Sequence, residues 1–293
     1  MSPVTSVDVA VRRAIRLCAS RIHGRGEVRV MGNVNLESDR PHPARMYDYF
    51  LGGTNNYDAD RSAAKEILGV WPTIQVAARV NRAFMQRSTQ FLASAGIRQF
   101  LDIGTGIPTE PNLHQIAQNL APDARVVYVD NDPIVLAQSH ALMASHPDGA
   151  TAYLHADATD PDSVLRSPQL RDTIDLSQPV GLSLIALLHF IDGDATQLVS
   201  TYLDAFAPGS YVVICQVTGD YDPAQVAIVR EIYRARGISA RERNREEFTA
   251  LFHDLELVDP GIVPPHRWRP NGITPPESHD AKVSCYAAVG RKL

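Results

Sequence analysis

Five short apolar runs, Gln99 to Ile103, Arg125 to Val129, Ala152 to His155, Gly181 to Leu188 and Ser210 to Val217, alternate with stretches of helical periodicity. Parallel strands need a crossover connection, usually a helix, so this alternation predicts an α/β fold: a mostly parallel sheet with helices on both faces. The first three runs share a further mark. Asp102 lies at the end of the first, just ahead of the turn Gly104-Thr105-Gly106; Asp130 closes the second; Asp157 follows the third. Ligands of open parallel sheets bind outside the carboxyl ends of the strands, so three acidic tips in succession define one candidate site. Asp132 and Asp160, each followed by proline, read instead as helix caps.

The rest of the chain is organised differently. Leu255 to Ile262 and Lys282 to Val289 are strand candidates joined by a proline-rich loop with no helix between them, a connection that permits antiparallel pairing. From Pro41 to Gly96 the pattern is helical. Asp58 or Asp60 can cap one helix that ends near Gly69, and Thr73 can cap a longer one in which Ala77, Val80, Phe84, Phe91 and Ala95 recur at helical spacing. The first 30 residues are rich in arginine (Arg12, Arg13, Arg16, Arg21, Arg25, Arg29), unlike the acidic remainder, and Met31 sits at the change in composition. The expected division is a basic extension over 1–38, a helical cap or lid over 39–96 and a Rossmann-like domain over 97–293. A basic amphipathic helix, a targeting segment and residues upstream of the natural start all remain open for the extension.

Composition removes several function classes. A net charge of -5 supplies no general attraction to phosphate backbones, which argues against a nucleic-acid substrate. No apolar run approaches the roughly 18 residues of a membrane span. Cys18, Cys215 and Cys285 are too few and too scattered for a disulfide framework or a zinc cluster, and a cytoplasmic protein is expected. The phosphate loop, the His-Glu pair of zinc proteases and the Tyr-x-x-x-Lys pair of short-chain reductases are absent from the sequence.

The acidic tips carry distinct chemistry. Asp130 stands about 20 residues beyond the glycine turn, where a carboxylate binds ribose hydroxyls. Asp157, an acceptor only, suits an amino donor such as the exocyclic amine of adenine. Gly104 and Gly106 let the backbone turn tightly and approach a ligand. Thr109 occupies the place of the third glycine of a dinucleotide fingerprint, which weakens a pyrophosphate-binding reading.

Leu101-Asp102-Ile103-Gly104-Thr105-Gly106, Asp130 and Ala156-Asp157-Ala158 resemble the successive motifs of class I S-adenosylmethionine-dependent methyltransferases. The chain is similar, more narrowly, to a bacterial family of such enzymes first described as a domain of unknown function. That likeness rests on Arg40-Pro41-His42-Pro43-Ala44-Arg45-Met46-Tyr47-Asp48-Tyr49-Phe50-Leu51-Gly52-Gly53, Asn55-Asn56-Tyr57 with Asp60-Arg61, the glycine turn through Thr109, and His266-Arg267-Trp268-Arg269-Pro270. The resemblance implies a seven-stranded sheet in the order 3-2-1-4-5-7-6 with strand 7 antiparallel, and S-adenosyl-L-methionine as cofactor.

Under that reading Asp130 takes the ribose, Asn131 meets adenine or ribose edges, and Asp102 faces the methionine ammonium. Gly104, Thr105, Gly106, Asp157 and Ala158 complete the cofactor set, with Leu187 or Leu188 as cover. Arg45 is expected to reach the methionine carboxylate from a lid that bends at Gly52-Gly53 and includes Asn55 and Asn56. His189, just past the fourth strand, is the candidate contact to the acceptor and the candidate general base. The acceptor is expected to be a small molecule, with no membrane partner and an open oligomeric state. Two other readings stay open: a non-catalytic S-adenosylmethionine-binding protein, and a nicotinamide-dependent oxidoreductase on the same fold.

Overall fold

The structure, a computed structural model, describes residues 38–142, 144–272 and 276–293. Most of the arginine-rich extension therefore lies outside the described residues. The strands β1 (Gln99–Ile103), β2 (Arg125–Asp130), β3 (Ala150–His155), β4 (Gly181–Ile185), β5 (Tyr211–Val217), β6 (Leu255–Leu257) and β7 (Cys285–Lys292) form one sheet in the order β3-β2-β1-β4-β5-β7-β6. β1 to β5 run parallel, and β7 pairs antiparallel with both β5 and β6. This is the predicted order and the predicted antiparallel strand. From β1 the chain winds outward to β3, then returns to place β4 on the other flank of β1. That reversal opens a crevice at the carboxyl ends of β1 and β4.

Side chains alternate across the strands and split the core in two. Phe100, Val126, Tyr128, Val213, Cys215 and Cys285 face one layer, and Leu101, Ile103, Val127, Val129, Leu182 and Ile214 face the other. The second layer is closed by α6 (Pro161–Leu165), α7 (Pro168–Thr173), α8 (Ala195–Asp204) and α10 (Arg245–Ala250). The first is closed by α1 (Pro43–Leu51), α2 (Asp58–Val70), α3 (Ile74–Ser94), α4 (Leu113–Leu120) and α9 (Pro223–Arg234). The remaining helices are α5 (Pro133–Leu142) and α11 (Asp280–Val283). The segment expected to form a cap thus shares a hydrophobic core with the sheet: Met46, Phe50, Ile67 and Trp71 are all buried in it.

Local sequence explains the helix ends with two corrections. Thr73 occupies the N-cap position of α3, but its side chain makes no capping hydrogen bond there and its hydroxyl donates to the Lys282 carbonyl at 2.9 Å. Tyr57, rather than Asp58 or Asp60, holds that place in α2, because the Asp60 carboxylate turns inward and accepts the backbone N–H groups of Tyr57 and His42, each at 2.8 Å. Asp60 therefore joins the start of α2 to the start of α1. The His266 to Pro270 motif is a packing device. Trp268 is wholly buried, edge-on to Phe84 and Phe91, while Arg87 of α3 donates to the carbonyls of Trp268 and Pro265.

Candidate active site

A cleft of about 1010 Å³ opens at the carboxyl edge of the sheet. It is lined by the glycine turn, the three acidic strand tips, the loop after β4, and residues of α1, α3 and α9. Typical small-ligand pockets span roughly 300 to 1,000 Å³, so the cleft has room for a cofactor and a second molecule.

The acidic tips differ in environment. Asp130 is buried; one oxygen accepts the Gly106 N–H and the other the Asp132 N–H, each at 2.9 Å. Burial pushes its carboxyl up, while those two donors pull it back. A carboxylate oxygen can accept more than one hydrogen bond, so both oxygens keep capacity for vicinal hydroxyls. Asp102 is likewise raised by burial and lowered by the hydroxyls of Ser183 and Thr105, with the Arg82 charge assisting. Asp157 is exposed, and its carboxylate accepts the Thr159 N–H at 2.8 Å and hydroxyl at 2.7 Å, shaping the turn after β3. Asn131 lines the cleft on the exposed side, and Ala158 lines it while its carbonyl accepts the Tyr202 hydroxyl.

The glycine turn is conformationally demanding. Gly104 and Gly106 have φ of +73° and +67°. A Cβ on Gly104 would stand 2.7 Å from Leu187 Cδ1. Leu187, not Leu188, covers the turn. Leu188 has no exposure and packs into the core beneath the sheet edge, because the 3₁₀ turn over Leu188–Phe190 rotates it inward. Of the pair named from the sequence, Leu187 lines the cleft.

The α1 region also departs from expectation. Arg45 lines the cleft but is buried, with Nε 3.2 Å from Asp132 Oδ2 and 3.7 Å from Asp60 Oδ1. The carboxylates it reaches belong to the protein. Asn55 and Asn56 turn away from the cleft lining and bind Asp48 Oδ2 instead, through the Asn55 N–H at 2.9 Å and the Asn56 side-chain amide at 2.7 Å. Gly52, at φ +86°, closes α1 as its C-cap, and a Cβ on Gly53 would fall 2.0 Å from the Asp48 carboxylate. The glycine pair thus serves helix termination and close packing.

His189 lines the cleft and packs against Phe190, with the rings tilted by 54° and their centroids 4.2 Å apart. Burial, reinforced by the Arg243 charge, pushes its imidazole down to about 3. The ring is neutral across the physiological range and too weak a base to draw protons from solvent-like acceptors.

Two residues absent from the sequence-based set also enter the site. Arg82 of α3 lines the cleft and donates through one guanidinium nitrogen to the carbonyls of Thr109 and Pro111, holding the loop that follows the glycine turn. Asp132, expected as a cap, accepts the Ile134 N–H at 2.9 Å with one oxygen, and with the other faces Arg45 and His42. An arginine on a helix and an aspartate before proline carry no sequence mark of such roles.

A seven-stranded sheet of this order, with an acidic second-strand tip beside a glycine turn, defines a class I methyltransferase, and S-adenosyl-L-methionine is its cofactor. The chain belongs to the S-adenosyl methyltransferase family, whose model matches residues 30–293. It is similar to a DUF574 family protein of known structure from Streptomyces avermitilis: 47% identity, covering 88% of this chain and 100% of that one, with a TM-score of 0.86. A protein from Thermobifida fusca whose name proposes a methyltransferase is 39% identical, covering 90% of this chain and 99% of that one, with a TM-score of 0.82. No curated protein matches the chain. Among the described residues, no helix is long and apolar enough to cross a membrane.

Proposed function

We propose that the protein transfers a methyl group from S-adenosylmethionine to a small molecule bound in the same cleft. The observation that carries this reading is the continuity of the cleft, from the acidic tips of β1 to β3 past the end of β4 to the walls formed by α1, α3 and α9. A cofactor-only binding protein has no need of the second half.

The residues present fit the cofactor. Asp130 takes the ribose hydroxyls, Asp157 and Asn131 the adenine edge, and Asp102 the methionine ammonium. Gly104, Thr105, Gly106 and Ala158 give backbone room, and Leu187 covers the turn. Arg82, already held against the loop that follows the glycine turn, replaces Arg45 as the partner of the methionine carboxylate.

When bound, the sulfonium supplies an activated methyl and leaves as a neutral thioether. The chain's own work is to hold the acceptor in line and exclude water; positioning alone is worth roughly 7 to 11 kcal/mol. His189, neutral at working pH, orients the acceptor by hydrogen bonding, and an acceptor that must lose a proton does so to solvent or in an already deprotonated form. The test is formation of S-adenosylhomocysteine on incubating the protein and S-adenosylmethionine with pooled small molecules. Calorimetric binding of S-adenosylhomocysteine without turnover of any pool would leave the non-catalytic reading instead.

A further inference from the structure

The cleft divides along the sheet order. The acidic tips belong to β1, β2 and β3; on the other side of β4, Cys215 and Val217 of β5 and Cys285 of β7 form the floor of a second chamber. Its walls are mainly aromatic and aliphatic: Tyr47 and Phe50 of α1, Trp71, Ile74 of α3, Phe190 of the 3₁₀ turn after β4, and Tyr233 of α9. The charged residues lining the cleft on this side already have partners. Arg230 pairs with Glu242 and Glu231, Arg236 with Glu66, and Arg241 with Glu247.

Several buried polar atoms of the cleft lining accept or donate no hydrogen bond within the protein, among them His189 Nδ1, Gln216 Nε2, Glu242 Oε2 and Asn81 Oδ1, and of these Asn81 Oδ1 stands beside the Tyr47 wall. Asn81 of α3 is 5% exposed and lines the cleft. Its amide orientation is set by Tyr47. The Tyr47 hydroxyl has a single proton, which it donates to the Ala78 carbonyl at 3.0 Å, so toward Asn81 it can only accept. Asn81 Nδ2 therefore donates to the Tyr47 oxygen, at 2.8 Å, and Oδ1 is the atom turned elsewhere. That oxygen accepts no hydrogen bond within the protein. The pair belongs to the second chamber, since Tyr47 and Asn81 line the cleft together with Cys215 and Cys285 and Tyr47 packs on the core layer that holds both thiols. Arg82, the next residue along α3, faces the loop that follows the glycine turn instead.

We infer that this chamber holds the methyl acceptor, and that it takes a neutral, ring-sized apolar molecule bearing an O–H or N–H that donates to Asn81 Oδ1. The inference rests on the methyltransferase reading of the cleft. Aromatic walls favour a flat ring, and a net charge would enter without a counter-charge, at a steep desolvation cost. The unpaired Oδ1 selects for a donor, because a ligand lacking one leaves the oxygen buried and unbonded in the complex.

The experiment uses the full chain saturated with S-adenosylhomocysteine and titrated with naphthol, methoxynaphthalene and naphthoate. Naphthol is expected to bind at least tenfold tighter than either the ether, which lacks the donor, or the carboxylate, which carries charge. In Asn81→Leu the preference for naphthol over the ether falls below threefold, with affinity for S-adenosylhomocysteine unchanged within twofold. Tyr47→Phe, which lets the amide turn over, lowers the same preference partway. The comparison on the unaltered chain needs no variant to fold. Equal binding of naphthol and ether, tighter binding of naphthoate, or no saturable naphthol binding to a chain that binds S-adenosylhomocysteine overturns the inference alone. Failure to bind S-adenosylhomocysteine overturns the cofactor reading and the inference with it.

Discussion

Replacing Arg45 by methionine separates two accounts of the α1 segment. In the structure Arg45, Asp132 and Asp60 are 2%, 3% and 0% exposed, with the guanidinium between the two carboxylates. Arg45→Met keeps most of the volume and leaves two buried carboxylates without their cation. Breaking a buried ion pair from one side costs about 3 to 5 kcal/mol. For a chain of this size, at roughly 2 °C per kcal/mol, the melting temperature should fall by roughly 6 to 10 °C. The deficit should narrow as pH falls, since protonating the orphaned carboxylates removes their charge.

Binding gives the sharper contrast. The Asp132 N–H supports Asp130, so loosening Asp132 should weaken S-adenosylmethionine and adenosine by equal factors. Arg82→Met should behave otherwise: at least tenfold weaker S-adenosylmethionine, little change for adenosine, which lacks the carboxylate. Paired calorimetry and melting curves on the two variants decide the matter. A loss confined to S-adenosylmethionine in Arg45→Met, with an unchanged melting temperature, would return Arg45 to the ligand carboxylate and refute the buried ion cluster.

Asp130→Ala should weaken S-adenosylhomocysteine by about 2 to 4 kcal/mol through loss of two charge-assisted hydrogen bonds, read by calorimetry on a variant with a cooperative melt. His189, held near 3 when folded against 6.5 when free, is less protonated in the native state, so below pH 6.5 the unfolded chain binds the extra proton and stability falls with pH. The contribution is roughly 1.4 kcal/mol per pH unit, and His189→Asn should remove that part of the slope in urea titrations between pH 6.5 and 5. Gly104→Ala should impair folding and cofactor binding together because its Cβ meets Leu187, whereas Gly106→Ala, with nothing within 4 Å, should cost about 1 to 2 kcal/mol of backbone strain. Removal of the first 29 residues, ahead of the family match, should leave melting temperature and S-adenosylhomocysteine affinity unchanged.

What could be read from the sequence follows from how far each element constrains its side chains. A parallel strand fixes where its last residue stands, so Asp102, Asp130 and Asp157 could be assigned to one sheet edge before any contact was known, and all three line the cleft. The antiparallel β7 was legible from its proline-rich connection to β6, although that connection holds the short helix α11, which takes Lys282 and Val283 from the start of the expected strand. Residues on helices and turns gain their roles from partners distant in sequence. Arg45 and Asp132 are separated by 87 positions yet neutralise each other, and no local pattern in either segment announces the other. The same holds for Asn55, Asn56 and the glycine pair, whose polar, flexible composition suits a lid but which converge on Asp48. One rotation of a 3₁₀ turn exchanged Leu187 for Leu188.

The position of α3 explains why its part of the site is not legible in the sequence. Its apolar residues predicted an amphipathic helix packed on the sheet, which it is, and within that pattern Asn81 and Arg82 look like an interruption and a solvated charge. Adjacent residues on a helix point about 100° apart. When the helix crosses the mouth of the cleft, that angle sends Arg82 to the loop that follows the glycine turn and Asn81 to the Tyr47 chamber. A single turn of α3 therefore touches both halves of the cleft. The prediction that follows is that Asn81 and Arg82 substitutions act independently: Arg82→Met should change S-adenosylmethionine affinity without altering the preference for naphthol over its ether, and Asn81→Leu should do the reverse. Strong coupling between them in a double-mutant cycle, beyond about 0.5 kcal/mol, would mean that the two halves are one binding site and that the division at β4 is wrong.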